Sequence, residues 1–158
     1  MKKYIALFSA VLILTIGYFL SITIPLAKDN ASGLFAIFED FFDEESYSDT
    51  KYIALNPDNI DLEDQDGITY LMKRYCFFHG HTFLFKTFDE LIDEGYIVDG
   101  GFEEGIVFGF DALTISEGLV YAEAYIFKGN LGAYGREFTA TFANREWTVT
   151  TSNTFWMS

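Results

Sequence analysis

The sequence contains few of the residues on which common enzyme chemistries depend. Cys76 is the only cysteine, so the chain forms no intrachain disulfide, and cysteine usage neither supports nor opposes an extracytoplasmic location. No glycine-rich loop leads into a helix with a lysine, as in phosphate-binding loops, and no serine stands in a nucleophile elbow. The sequence therefore offers no disulfide scaffold, no phosphate-binding loop and no serine hydrolase of that type.

Positive charge is scarce beyond the N-terminus. The net formal charge is −14 at pH 7, and residues 28–158 hold 24 acidic and 8 basic residues. A field of this sign repels the phosphates of nucleic acids and anionic membrane surfaces. We therefore expect no nucleic acid partner, and we interpret the acidic surface either as an aid to solubility or as a surface for a basic protein or a cation.

The longest apolar run stands at the N-terminus. Residues 4–27 contain no charge and, at about 1.5 Å per residue, are long enough to cross a lipid bilayer as a helix. Two lysines before the run favour a cytoplasmic N-terminus, which gives a single-pass cell-membrane protein with its C-terminal domain outside. A cleaved signal peptide is the alternative, but cleavage after Ala27 would place Pro25 where a small residue is required.

We divide the chain into a transmembrane anchor or signal segment (1–27), a juxtamembrane acidic helix and loop (28–50) and an extracytoplasmic α+β domain (51–158). In the second segment, Ser32 can cap a helix. The apolar residues of that helix have helical spacing: Leu34, Ile37, Phe38, Phe41 and Phe42. This helix either docks its phenylalanines on a sheet or forms a stalk near the membrane surface.

A group of acids precedes a second helix. Asp61, Glu63, Asp64 and Asp66 lead into Gly67 and resemble a calcium loop, but the count places Lys73 where that loop needs a carboxylate. We expect these acids to begin a helix instead, because the helix dipole favours negative charge there. Gly80 ends this helix, and its apolar face carries residues at helical spacing: Ile68, Leu71, Met72, Tyr75, Cys76 and His79.

A third, short helix follows, and then a run of strands. Thr87 and Glu90 form a capping box, after which Phe88, Leu91 and Ile92 share one face of the helix. Residues 105–158 read as a four-strand meander, and the register of its last hairpin follows from alternation around a two-residue turn at 144–145. The predicted pairs are Ala143 with Glu146, Phe142 with Trp147, Thr141 with Thr148, Ala140 with Val149, and Thr139 with Thr150. Trp156 falls beyond this hairpin.

These patterns predict an α+β fold. An N-terminal transmembrane helix precedes one domain, in which two or three helices pack on one face of a four-stranded antiparallel meander. A short strand at 51–55 lies between the first predicted helix and the second. In general layout the domain resembles the helix-wrapped sheets of cystatin-like and NTF2-like proteins, as an analogy of fold alone.

Cys76, His79 and His81 are the weak candidates for a metal site. They could supply three zinc ligands, but their spacing matches no strong zinc signature. Helical spacing places Cys76 and His79 on an apolar face, which favours a buried thiol and a core or helix-end histidine. A Cys–His nucleophile pair is disfavoured, because acidic surroundings oppose a thiolate. We therefore assign no catalytic residue, no metal and no cofactor.

The sequence favours a membrane-anchored extracytoplasmic binding or accessory module without enzymatic activity, whose ligand it does not identify. One alternative is an immunity or inhibitor protein that uses its acidic surface against a basic toxin or enzyme. A second alternative is a small enzyme with an NTF2-like pocket on the concave side of the sheet and His79 or His81 as a base.

Overall fold

The computed structural model describes residues 27–44, 47, 50–129 and 132–157. Within these ranges the chain forms three helices and six strands: α1 (Asn30–Glu44), β1 (Tyr52–Leu55), α2 (Leu62–His79), β2 (Thr82–Phe85), α3 (Phe88–Asp93), β3 (Gly105–Ser116), β4 (Leu119–Phe127), β5 (Ala133–Ala143) and β6 (Glu146–Met157). No helix in these ranges is long and apolar enough to cross a membrane. The predicted membrane-spanning helix lies outside the described residues, apart from Ala27.

All six strands form one mixed sheet in the order β2-β1-β3-β4-β5-β6. Strands β3 to β6 form the predicted antiparallel meander, while β1 lies parallel to both β2 and β3. The α+β class is confirmed, but the prediction of a four-stranded antiparallel sheet was wrong. Two short strands extend the sheet beyond β3, because α2 carries the chain from β1 to β2 in the same direction.

The last hairpin has the register predicted from alternation. Phe142 pairs with Trp147, Ala140 with Val149, and the threonines pair on the other face. Asn144 and Arg145 have φ angles of 54° and 70°, as a two-residue hairpin turn requires. Strand β6 is longer than predicted and runs to Met157, so Trp156 pairs with Gly135 and does not lie beyond the hairpin. The register of this strand pair shifts at an irregularity after Arg136, so the alternation pattern cannot predict the pairing beyond that point.

Helix α1 lies at the centre of the core and is buried on almost every side. Its large side chains Leu34, Phe35, Ile37, Phe38 and Phe41 have no solvent exposure, and they pack between the sheet and α2. The docked alternative is therefore confirmed over the stalk, and the folded unit includes residues 30–44. The predicted cap was wrong by three residues. The Asp29 carboxylate accepts a hydrogen bond from the backbone N–H of Ser32 at 2.7 Å, which makes Asp29 the cap.

Two glycines allow α1 to approach its neighbours this closely. A Cβ atom at Gly33 would lie 2.8 Å from Val120 of β4 and 2.9 Å from the Trp147 ring. A Cβ atom at Gly67 of α2 would lie 2.6 Å from the Cβ of Ala31. Because real Cβ atoms do not approach so closely, a side chain at either position would push α1 away from the sheet or from α2.

Helices α2 and α3 follow their predicted signals, with two differences. The acids begin α2, Gly80 ends it at a φ of 81°, and the capping box of Thr87 and Glu90 is present. Ile92, however, is 53% exposed and does not share the buried face of Leu91. The second difference concerns the face of the sheet on which α3 packs. Leu91 belongs to a separate core cluster with Ala54, Ile97, Phe102 and Val107, so the sheet near β1 and β3 is covered on both faces.

Candidate functional site

The three metal candidates from the sequence occupy three different environments. Cys76 is buried in the main core, and burial raises the pKa of its thiol to about 12, which keeps it protonated at neutral pH. His79 is exposed at the end of α2, where its ring stacks on Tyr75 at 4.2 Å. The His81 ring nitrogen Nδ1 lies 2.5 Å from the carbonyl oxygen of Thr50. No three Cys, His, Asp or Glu side chains in the described ranges form a group that could hold a metal ion.

A cavity of about 630 Å³ opens where β1 and β3 begin, beside the loop that connects α3 to β3. Aromatic rings and carboxylates account for most of its walls. The lining residues are Tyr52, Glu94, Gly95, Tyr96, Val98, Asp99, Gly101, Phe102, Glu103 and Glu104. We refer to this cavity as the acidic aromatic pocket.

Three rings form the apolar wall of the acidic aromatic pocket. The ring centroid of Tyr52 lies 5.4 Å from that of Tyr96 and 6.2 Å from that of Phe102, and Tyr96 and Phe102 lie 6.3 Å apart. Tyr52 begins β1 and pairs with Gly105 of β3. The Phe102 ring covers Gly105, where any side chain would collide with it. Phe102 is buried, so it supports the two partly exposed tyrosines.

The loop that carries Tyr96 and Phe102 has a defined backbone. Asp99 and Gly100, with φ angles of 52° and 75°, form a tight turn closed by two backbone hydrogen bonds between Val98 and Gly101. Gly95, with a φ of 76°, lets the chain leave α3. The turn places Asp99 among the residues that line the pocket, between Tyr96 and Phe102 in the chain.

Four carboxylates surround the rings, from Glu94, Asp99, Glu103 and Glu104. Two lysines lie beside them. The Lys86 ammonium contacts the Glu94 carboxylate at 2.6 Å, and the Lys51 ammonium contacts the Glu104 carboxylate at 3.0 Å. Four carboxylates and two ammonium groups leave the pocket with negative charge, within a domain that is itself strongly acidic.

Lys51 already makes the interaction that this pocket is suited to form with a cation. Its ammonium lies 4.7 Å from the centroid of the Tyr52 ring while it contacts Glu104. A hydrogen bond to Tyr52, and then one to Glu104, raise the pKa of Lys51. The position of this ammonium over the Tyr52 ring is a cation–π contact, and its position beside Glu104 is an exposed ion pair.

The polar side chains that line the pocket are carboxylates and tyrosine hydroxyls. The described lining residues include no cysteine, serine, histidine or lysine that could act as a nucleophile or as a base near neutral pH. Neither His79 nor His81 is among them. Sequence reasoning missed this pocket, although a signal is present. Five acids and two aromatic residues lie close together in the sequence, at the end of α3 and in the loop that follows it: Asp93, Glu94, Tyr96, Asp99, Phe102, Glu103 and Glu104.

Comparison of the chain with protein-family models, with curated proteins and with solved structures gives no significant match. The geometry of the acidic aromatic pocket is therefore the basis for assigning a function.

Proposed function

We propose that the protein is a membrane-anchored extracytoplasmic binding module without enzymatic activity, and that it recognises a cationic group in the acidic aromatic pocket. The observation that supports this most directly is the position of Lys51 between the Tyr52 ring and the Glu104 carboxylate. A ligand ammonium or guanidinium would find the same chemistry at Tyr96, Asp99 and Glu103, which line the pocket as well. The anchor is the predicted helix of residues 4–27, which contacts the lipid bilayer.

The dimensions of the pocket suit a small amine or one basic side chain of a larger partner. A volume of about 630 Å³ lies within the usual range for ligand sites, roughly 300–1,000 Å³. The charged groups at its rim are carboxylates, and only Glu94 and Glu104 among them contact a lysine in the described ranges, so an anionic ligand would be repelled and a neutral ligand would gain no charge pairing. A cationic ligand would be attracted by these carboxylates, which is why we assign that class.

A second function is favoured by the charge of the whole domain. An immunity or inhibitor protein would use the acidic surface to neutralise a basic toxin or enzyme, and the pocket would then receive one lysine or arginine of that partner. The third function, an enzyme with His79 or His81 as a base, has less support. His79 is exposed at a helix end, and the Nδ1 of His81 lies against a backbone carbonyl.

The proposal is tested by titrating the protein with N-acetyl-lysine methylamide and with its arginine counterpart, followed by NMR chemical shifts. We expect shifts at residues 94–104 and binding that weakens as salt increases. Tyr52→Leu should abolish binding, whereas Tyr121→Leu, which changes a partly exposed tyrosine of β4 outside the pocket, should not. Binding that is indifferent to Tyr52→Leu would contradict the proposal.

The Lys51→Met substitution should strengthen ligand binding, whereas Tyr52→Leu should abolish it. The substitution removes the protein's own ammonium group, which contacts the Tyr52 ring and the Glu104 carboxylate, so an added cationic ligand should bind more tightly. Because an exposed cation–π contact is weak, the gain should be roughly two- to fivefold. If the free amino acid derivatives fail while a basic protein is retained by a salt-sensitive interaction, the immunity or inhibitor function is favoured.

A further inference from the structure

The outer face of α2 is acidic toward its N-terminus and aromatic and basic toward its C-terminus. No aspartate or glutamate stands between Asp66 and Asp89, although the chain is strongly acidic on both sides of this stretch. Within it the C-terminal half of α2 exposes large aromatic side chains beside two basic residues. We name this surface the α2 aromatic patch, and it consists of Tyr70, Lys73, Arg74, Phe77 and Phe78.

The aromatic side chains of the patch are unusually exposed. Phe77 is 79% exposed, Tyr70 is 62% exposed and Phe78 is 37% exposed. The two phenylalanine rings contact each other at 5.4 Å, and the Arg74 guanidinium lies 5.9 Å from the Phe78 centroid. Adjacent exposed aromatic residues on an otherwise polar surface mark a site of contact with another apolar surface.

The patch begins where the chain enters the domain. Ala27, the last residue of the apolar run, lines a cavity of about 360 Å³ together with Tyr70 and Leu71 of α2. Seven residues separate Tyr70 from Phe77, so both lie on the same side of the helix, roughly 10 Å apart along its axis. A membrane helix that ends at Ala27 would therefore bring the bilayer close to this side of α2.

We propose that the α2 aromatic patch rests on the surface of the bilayer, with its rings in the headgroup region. Aromatic side chains favour the membrane interface, and lysine and arginine can reach the lipid phosphates from the same position. Glu63 and Asp66 lie on the N-terminal half of the same helix, and their charges offset those of Lys73 and Arg74. The rings rather than net charge hold this contact, so it persists on zwitterionic lipid. The inference rests on the anchor in the proposed function.

The test uses the full-length protein in phosphatidylcholine vesicles with brominated acyl chains, which quench tryptophan at the interface. Phe77→Trp places a probe in the patch. Ile92→Trp places a matched probe on α3, because Ile92 is 53% exposed and α3 covers the opposite face of the sheet. The wild-type signal, from Trp147 and Trp156, is subtracted from both. Thermal melts of both variants confirm that each remains folded.

We expect the emission of the Phe77→Trp probe to shift to the blue and to be quenched by brominated lipid, while the Ile92→Trp probe is unaffected. Equal behaviour of the two probes in protein that floats with the vesicles would overturn the patch contact and leave the anchor standing. Protein that does not float would overturn the anchor of the proposed function and the patch contact with it. Quenching that requires added phosphatidylglycerol would overturn the claim that the rings hold the contact.

Discussion

Trp147 connects the last hairpin to the start of α1, and its removal tests both. The indole ring lies 5.4 Å from the Phe142 ring and packs on the main core next to Gly33. Its N–H donates a hydrogen bond of 2.7 Å to the carbonyl oxygen of Ala27. Thr148, the next residue, points to the opposite, exposed face of the sheet. Trp147→Ala should therefore destabilise the domain far more than Thr148→Ala.

The magnitude follows from the area and the hydrogen bond. A large aromatic side chain that is mostly but not fully buried removes about 150 Å² from water. At about 25 cal/mol per Å² this burial contributes nearly 4 kcal/mol, and the hydrogen bond to Ala27 adds about 1 kcal/mol. We expect Trp147→Ala to cost about 3–5 kcal/mol, Trp147→Phe about 1–2 kcal/mol and Thr148→Ala about 0.2–1 kcal/mol.

The measurement is the free energy of unfolding from denaturant titrations of a fragment that begins at residue 27, so that the Ala27 carbonyl is kept. Phe142→Ala should resemble Trp147→Ala, and the double variant should lose less than the sum of the two, because the rings share one site. Equal losses for Trp147→Ala and Thr148→Ala would refute the half-exposed sheet. A Trp147→Phe variant as stable as the wild type would show that the hydrogen bond to Ala27 contributes nothing.

Three further predictions concern the core and the helices, and one concerns metal. Cys76 should not react with thiol reagents at pH 8 until the protein unfolds. Because burial raises the pKa of the Cys76 thiol from 9.0 to about 12, the stability that the buried thiol contributes is fully present below pH 9. That stability is lost as the pH rises from 9 to 12. Gly67→Ala should cost about 1–3 kcal/mol despite the better helix propensity of alanine, whereas Asp66→Ala on the exposed face should be nearly neutral in thermal melts. Thr87→Ala removes the cap of α3 and should cost about 1 kcal/mol, and a Thr87→Ser variant should recover most of it. A fragment that begins near Lys28 should be soluble and fold without metal, and a large fall in melting temperature with a strong chelator would contradict this.

The sequence predicted correctly those parts of the fold that depend on residues close together in the chain. The register of the last hairpin follows from alternation and from a turn of two residues, so the amino-acid pattern alone is enough to pair Phe142 with Trp147. The capping box of Thr87 and the glycine end of α2 are similarly local, since each depends on residues within one turn of helix.

The parts that sequence reasoning missed depend on contacts between distant segments. Strand β2 is four residues long, and its apolar run Thr82–Phe85 has no alternation; only its pairing with β1 makes it a strand. The cover on the second face of the sheet arises because Leu91 and Phe102 meet Val107 there. The acidic aromatic pocket is of the same kind, since Tyr52 comes from β1 and the other two rings come from a loop more than forty residues later.

The structure also relates the pocket to residues 27 and 28, which would follow the proposed anchor. Lys28 contacts Glu117 at the end of β3 at 2.6 Å, and the Ala27 carbonyl accepts the Trp147 hydrogen bond, so residues 27 and 28 are fixed to the turn end of the meander. The pocket lies at the other end of β3, which has 12 residues and therefore spans roughly 35 Å. The pocket also borders the face of the sheet that α3 covers, opposite to α2. An anchor at residues 4–27 would thus leave the pocket open, whether the domain stands on its turn end or rests on the α2 aromatic patch. The proposed binding module needs such an arrangement, because its ligand would have to reach the pocket from outside the membrane.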